Sequence, residues 1–152
     1  MTATTTSSQP LTVLLVEDDD IDAMAVTRMF RKVPGEIPIT VQRAVNGADG
    51  LAQLRQLVSD RAGPLMVLLD INMPLLNGHE FLSAVRADKA LESTIVFILT
   101  TSIDPKDVEN AYRSHVAGYL PKTANPKAGA KVGQLLREYA DAVLFPMPRA
   151  IQ

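Results

Sequence analysis

The sequence predicts an α/β fold of the doubly wound (βα)5 kind, a parallel sheet with helices covering both faces. Five short apolar runs alternate along the chain with five segments of helical period. The best of these runs are continuously apolar, as in strands buried on both faces. Three of the runs stop abruptly at polar side chains, which marks one end of the sheet as different from the other. Right-handed crossovers restrict the topology further.

The first run, Leu11 to Val16, ends in four consecutive acids, Glu17 to Asp20. From Ile21 the period becomes helical, with Ile21, Met24, Ala25, Met29 and Val33 on one face, until Pro34-Gly35 stops it. Pro38 to Arg43 is a weaker strand whose proline suits an edge position. After the Asn46-Gly47 turn, Leu51, Leu54, Leu57 and Val58 mark a second helix, closed by Gly63-Pro64. Leu65 to Leu69 is again buried in character and runs into Asp70. A loop with Pro74 and Gly78 leads to a short helix that turns Phe81, Leu82 and Val85 inward.

Thr94 to Leu99 is the fourth strand, followed by Thr100-Thr101-Ser102. Asp104 caps the fourth helix and Pro105 takes its first position. Val116 to Leu120 is the fifth strand and ends in Pro121-Lys122. Asn125 and Pro126 open the last helix, with Val132, Leu135, Leu136, Tyr139 and Val143 as its apolar face. Pro146 and Pro148 forbid its continuation. The organisation is a flexible Thr/Ser tail over 1–10, one domain over 11–143 and a C-terminal extension over 144–152.

Composition narrows the chemistry. The 152 residues suit one domain, and 47% hydrophobic residues are enough for a core. Seventeen acids against fifteen bases give a net charge of -2, which does not suit an electrostatic nucleic-acid binder. The absence of cysteine excludes disulfides and thiolate chemistry, and His79 and His115 are too few for a histidine-ligated zinc site. Both read as surface or helix residues, and Met24, Met29, Met66 and Met73 as core or loop packing. No apolar run reaches membrane-spanning length, and the first ten residues lack the apolar stretch of a signal peptide. The expectation is a cytoplasmic protein without nucleic-acid or membrane partners.

The polar residues at the strand ends carry the functional signal. Glu17 and Asp18 follow the first strand, Asp70 the third and Thr100 the fourth, and Lys122 lies just beyond the fifth. In open α/β sheets the crevice lies beyond the carboxyl ends of the strands, so these five side chains should converge. Three clustered carboxylates repel one another, and a hard divalent cation relieves the repulsion. Mg2+ suits the role, with Mn2+ as the alternative, because it takes oxygen ligands and phosphate together. A carboxylate can attack an activated phosphoryl group, while cation, ammonium and hydroxyl stabilise the charge in transfer.

Asp70-Ile-Asn-Met-Pro-Leu-Leu-Asn-Gly78 resembles the phosphoacceptor loop of response-regulator receiver domains, the family with the CheY-like, flavodoxin-like fold. The resemblance runs from about Leu11 to Val143 and implies a strand order of 2-1-3-4-5. It implies that Asp70 is phosphorylated, and that Asp18, Asp70 and the backbone carbonyl of Asn72 ligate Mg2+, with Glu17 acting mostly through water. It also implies that Thr100 binds the phosphoryl group, that Lys122 forms an ion pair remodelled by phosphorylation, and that Tyr119 is an aromatic switch coupled to Thr100. Three positions depart from the common pattern. Glu17 replaces the more usual Asp, and Asn77 stands where many receivers carry Asp. Thr123 follows Lys122 where the family has proline after a cis bond. A non-proline cis bond costs about 2.5–4 kcal/mol, so that loop is either trans or strained, which bears on where Lys122 sits.

The function implied is a stand-alone response regulator, phosphorylated by a histidine kinase and signalling through protein contact or phosphorelay, with at most autophosphatase activity. A haloacid-dehalogenase-type phosphatase is the enzyme alternative, but Asn72 stands where that chemistry carries its second Asp. A pseudo-receiver would not need the complete set of Asp18, Asp70, Thr100 and Lys122. A nucleotide-binding domain would show a glycine-rich phosphate loop, and none follows any strand. Singly, each site residue has a bland reading, the acids as helix-capping charge and Tyr119 as half-buried core.

EDDDIDAMAVTRMF, DINMPLLNGHEFL and TTSIDPKDVENAYRSH are similar to the receivers that serve bacterial phytochrome kinases. That resemblance implies a homodimer through the fourth and fifth helices, the fifth strand and the C-terminal extension. Tyr139, Val143, Phe145 and Met147 would lie in the contact, in a segment that also carries Leu144 and Ile151.

Overall fold

The structure, a computed structural model, describes residues 9–146. Most of the predicted N-terminal tail, together with Met147 and Ile151 of the extension, lies outside the described residues. Five strands alternate with five helices: β1 (Leu11–Val16), α1 (Asp20–Lys32), β2 (Ile39–Ala44), α2 (Gly47–Ser59), β3 (Leu65–Leu69), α3 (Gly78–Ala87), β4 (Ile95–Thr100), α4 (Pro105–Arg113), β5 (Gly118–Pro121) and α5 (Pro126–Ala142). The strands are all parallel, in the order β2-β1-β3-β4-β5. This is the CheY-like order, and the topological switch falls between β1 and β3.

Successive strand residues face opposite layers. Leu14, Val16, Val67, Leu69, Val96 and Ile98 pack under α2, α3 and α4 with Leu54, Phe81 and Leu82. Val13, Leu15, Met66, Leu68, Phe97 and Leu99 pack under α1 and α5 with Val26, Phe30 and Leu136. The continuous apolar runs follow from this burial on both faces. β2 is an edge strand, half exposed, with Pro38 just before it.

The first turns of α1 present a different stripe from the one the period suggests. On α1 the inward residues are Ala23, Val26 and Phe30, whereas Ile21 and Met24 are 77% and 60% exposed and Ala25 is also exposed. The chosen stripe buries the aromatic ring and turns Asp22 toward the strand ends, where it pairs with Lys122. On α5 the predicted Val132, Leu136 and Tyr139 do pack on the layer under α1 and α5, together with Gly133 and Ala140, while Leu135 faces outward. Gly133 lets the two helices close, because a Cβ there would lie 2.6 Å from Met29 Cγ.

The β3–α3 loop is folded tightly. A Cβ on Gly78 would stand 2.7 Å from the Asp70 carbonyl oxygen, and the Gly78 amide donates to the Ile71 carbonyl at 3.0 Å. Asn77 and Glu80 form a reciprocal capping box that starts α3 directly after it. No cis peptide bond occurs among the described residues, so the Lys122–Thr123 bond is trans. The Lys122 amide donates to the Thr100 carbonyl at 2.7 Å, which holds its backbone beside the end of β4.

Candidate phosphoacceptor site

The five predicted side chains stand at the carboxyl ends of the strands. Glu17, Asp70 and Thr100 are buried, Asp18 is exposed, and Lys122 keeps 14% of its side chain accessible. Two backbone bonds fix the acids: the Glu17 amide donates to the Ala44 carbonyl at 3.0 Å and the Asp70 amide to the Val16 carbonyl at 3.1 Å. Glu17, Asp18 and Asp70 each offer a carboxylate oxygen within 4.8 Å of the others.

Lys122 is the counter-charge. Its Nζ donates to Glu17 Oε1, to Asp22 Oδ2 at 2.8 Å and to Asp70 Oδ2 at 3.3 Å. Burial opposes the ammonium form, but hydrogen bonds to Asp22 and Glu17 and the charge of Asp70 outweigh it, so Lys122 is held above its ordinary range. Burial pushes the Glu17 carboxyl up to about 7, with Asp70 adding to the rise and Lys122 and the Asp19 amide opposing it.

Three carboxylates, Glu17, Asp22 and Asp70, thus share one ammonium, and a fourth, Asp18, stands beside Glu17 and Asp70. That excess of hard oxygen donors over positive charge is what a divalent cation would neutralise, and the donor set suits Mg2+ or Mn2+. Asn72 is exposed in the loop, and its amide approaches Asp70 Oδ1 at 3.4 Å. Leu75, in the same loop, is a left-handed residue (φ 68°) with 80% exposure.

Thr100 and Tyr119 meet at Ser102. The Ser102 amide approaches Thr100 Oγ1 at 3.4 Å, and the Tyr119 hydroxyl donates to the Ser102 carbonyl at 2.9 Å. Burial raises the Tyr119 hydroxyl above its ordinary range.

Sequence reasoning did not single out Asp22, Ser102, or the pairing of His79 with Asp107. Asp22 stands three residues after Asp19, the α1 cap, and its signal was hidden in an acid run that also reads as capping charge. Ser102 and Asp107 lie in the quoted TTSIDPKD segment, but nothing in their spacing shows that His79 will meet them.

The family model of the response regulator receiver domain matches residues 13–132. A probable methanogenesis regulatory protein of Methanothrix harundinacea, FilR2, is 34% identical over 137 residues, covering 88% of this chain and 85% of that protein. Response regulator Rcp1 of Synechocystis sp. is 29% identical over 133 residues, covering 88% of this chain and 90% of its own. The crystal structure of its Mn2+-bound form matches with a TM-score of 0.74 at 30% identity, over 90% of this chain and 99% of that one. The phosphorylated cyanobacterial phytochrome response regulator RcpA matches with a TM-score of 0.75 at 27% identity, over 89% of this chain and 97% of that one.

Proposed function

The chain belongs to the response regulator receiver family, and we propose that within it Asp70 is the residue that accepts the phosphoryl group. One observation carries this assignment: Asp70 is buried at the end of β3, where carboxylate oxygens of Glu17 and Asp18 lie within 4.8 Å of its own and Lys122 Nζ lies 3.3 Å away. A carboxylate oxygen of Asp70 bonds to phosphorus as the bond from phosphorus to the donor atom breaks. Lys122 and the Thr100 hydroxyl then balance charge on the transferred group. Receivers bind a divalent metal, and here the ion is proposed to be Mg2+, held by Asp18, Asp70 and the Asn72 carbonyl, with Glu17 one water removed. When bound it supplies neutralisation of the clustered charge.

The phosphodonor is proposed to be a histidine kinase, and the likeness to the phytochrome response regulator RcpA supports a bacterial phytochrome kinase. Output runs through protein contact or phosphorelay, and self-dephosphorylation is the one hydrolytic activity proposed. No helix among the described residues is long and apolar enough to cross a membrane, and the proposed location is the cytoplasm. A homodimer through α4, β5, α5 and the extension is also proposed. Its support is the exposure of Tyr112, Leu135 and Leu144 on or after those helices.

The test is intact-protein mass spectrometry after incubation with acetyl phosphate and Mg2+. The wild-type chain gains one phosphoryl group, and Asp70→Asn gains none. Undiminished uptake by Asp70→Asn places the acceptor elsewhere.

A further inference from the structure

The β4–α4 loop is tied to the start of α3 by a chain of side chains that the phosphoacceptor reading does not use. Asp107, in the first turn of α4, receives two hydrogen bonds, one on each carboxylate oxygen. Ser102 Oγ donates to Oδ2 at 2.6 Å, and His79 Nε2 lies 3.0 Å from Oδ1. These two bonds hold the Asp107 carboxyl below the usual carboxylate range. An ionised carboxylate only accepts, so the proton in the second bond sits on His79 Nε2. Both partners are about one-quarter exposed, at 28% for His79 and 27% for Asp107.

The ends of this chain are informative. His79 is the second residue of α3 and follows Gly78, which packs directly on the Asp70 backbone. At the other end, every polar group of Ser102 is engaged. Its hydroxyl reaches Asp107, its amide faces Thr100 Oγ1, and its carbonyl accepts from Tyr119. One residue therefore joins the hydroxyl proposed to bind the phosphoryl group, the aromatic proposed to switch, and α4.

We propose that His79, Asp107 and Ser102 form a latch that pre-orders the β4–α4 loop over the Asp70 site, so that His79 is a positioning residue for phosphoryl binding. The proposal rests on Asp70 being the acceptor. A loop already ordered by the latch need not be ordered by the ligand, and apparent affinity scales with the fraction of molecules in the competent arrangement. Loosening the loop therefore weakens phosphoryl binding without touching the carboxylates that hold the cation.

Two measurements on His79→Ala, Ser102→Ala and the double variant test this. Amide exchange by NMR on the unphosphorylated chain reads the loop at Ser102 and Ile103; the Asp104 amide donates to Ser102 Oγ itself and is left out. Titration with beryllofluoride in saturating Mg2+ reads affinity for a phosphoryl analogue. Each single variant should speed loop exchange and weaken beryllofluoride binding by about threefold to tenfold, with Mg2+ affinity unchanged. The double variant should be no worse than the poorer single one, because both remove the same link. His79→Gln, which keeps a side-chain N–H donor, should recover part of the loss. Unchanged loop exchange, additive losses, tighter beryllofluoride binding or a parallel loss of Mg2+ affinity would each overturn the latch. If the wild-type chain binds no beryllofluoride at all, the phosphoacceptor reading fails, and amide exchange still decides whether the latch orders the loop.

Discussion

Lys122, just after β5, reaches across 100 positions of chain to Asp22 in the first turn of α1, with Nζ 2.8 Å from Oδ2. An ammonium has three donors, and this one spends them on three carboxylates, Asp22, Glu17 and Asp70. The partners differ in burial. Asp22 keeps 42% of its side chain exposed, whereas Glu17 and Asp70 keep 2% and 8%. The exposed pair anchors the lysine at little net energy. The buried pairs are where its charge matters, because an unpaired buried carboxylate is costly.

That arrangement gives a signed expectation for metal binding. The Lys122 ammonium repels any cation entering the carboxylate cluster. Lys122→Met keeps the volume and removes the charge, so the affinity for Mn2+ should tighten by about tenfold, corresponding to about 1–2 kcal/mol at the effective dielectric of a partly buried site. Phosphoryl uptake from acetyl phosphate should slow in the same variant. Calorimetric titration with Mn2+ and the mass-spectrometric uptake assay read the two effects. Weaker Mn2+ binding in Lys122→Met would mean that the lysine holds the carboxylates in place more than it repels the ion.

The two acids at the end of β1 should separate in a second titration. Glu17 is buried and engaged by Lys122, while Asp18 is exposed at the mouth of the cluster. Asp18→Ala should therefore weaken Mg2+ binding by about tenfold or more, and Glu17→Ala by less, since a ligand acting through water costs less to remove. The reverse ranking would make Glu17 the direct ligand.

The fold and the cleft were largely legible in the sequence for one reason. Strands buried on both faces leave continuous apolar runs, and the runs end where the polar cleft begins, so Asp70 and Thr100 advertise themselves by position. The caps Asp104, Asn125 and Asn77 are equally local signals. The α1 stripe was not legible, because both Ile21/Met24 and Ala23/Val26/Phe30 satisfy a helical period, and the choice depends on what the sheet and Lys122 offer. Asp22 and His79 were missed for the same reason, since their partners Lys122 and Asp107 are distant in sequence and only the tertiary fold brings them near.

Burial of Glu17 makes the stability of the metal-free chain depend on pH. The group titrates near 7 when folded against 4.5 when unfolded. Between those values the folded chain holds a proton that the unfolded chain has released, so raising the pH favours unfolding across that window. Glu17→Gln mimics the protonated form and should remove this loss. In chelator, its stability relative to wild type should rise by about 1–3 kcal/mol between pH 5 and pH 8. Urea unfolding at a series of pH values measures the difference. A constant difference across the range would show that Lys122 fully compensates the Glu17 charge.

The start of the C-terminal extension is anchored on its own chain. Phe145 meets the Tyr139 ring edge-on, with centroids 6.0 Å apart, and Tyr139 in turn meets Phe97 at 4.9 Å. This aromatic stack ties the residues after α5 to the β4 side of the core. Phe145→Ala should therefore destabilise the monomeric unit by about 1–2 kcal/mol, combining lost burial with the edge-to-face term. The proposed dimer arm makes a separate demand on the same segment. Removing residues 145–152 should raise the dimer dissociation constant by at least about tenfold, since a two-fold contact loses the segment twice. Light scattering over a concentration series reads the dissociation constant, and urea unfolding of the same samples reads the stability. A truncated chain that is destabilised but dimerises as tightly as the full one would confine the role of Phe145 to its own subunit. A full-length chain that stays monomeric at every concentration would end the dimer proposal.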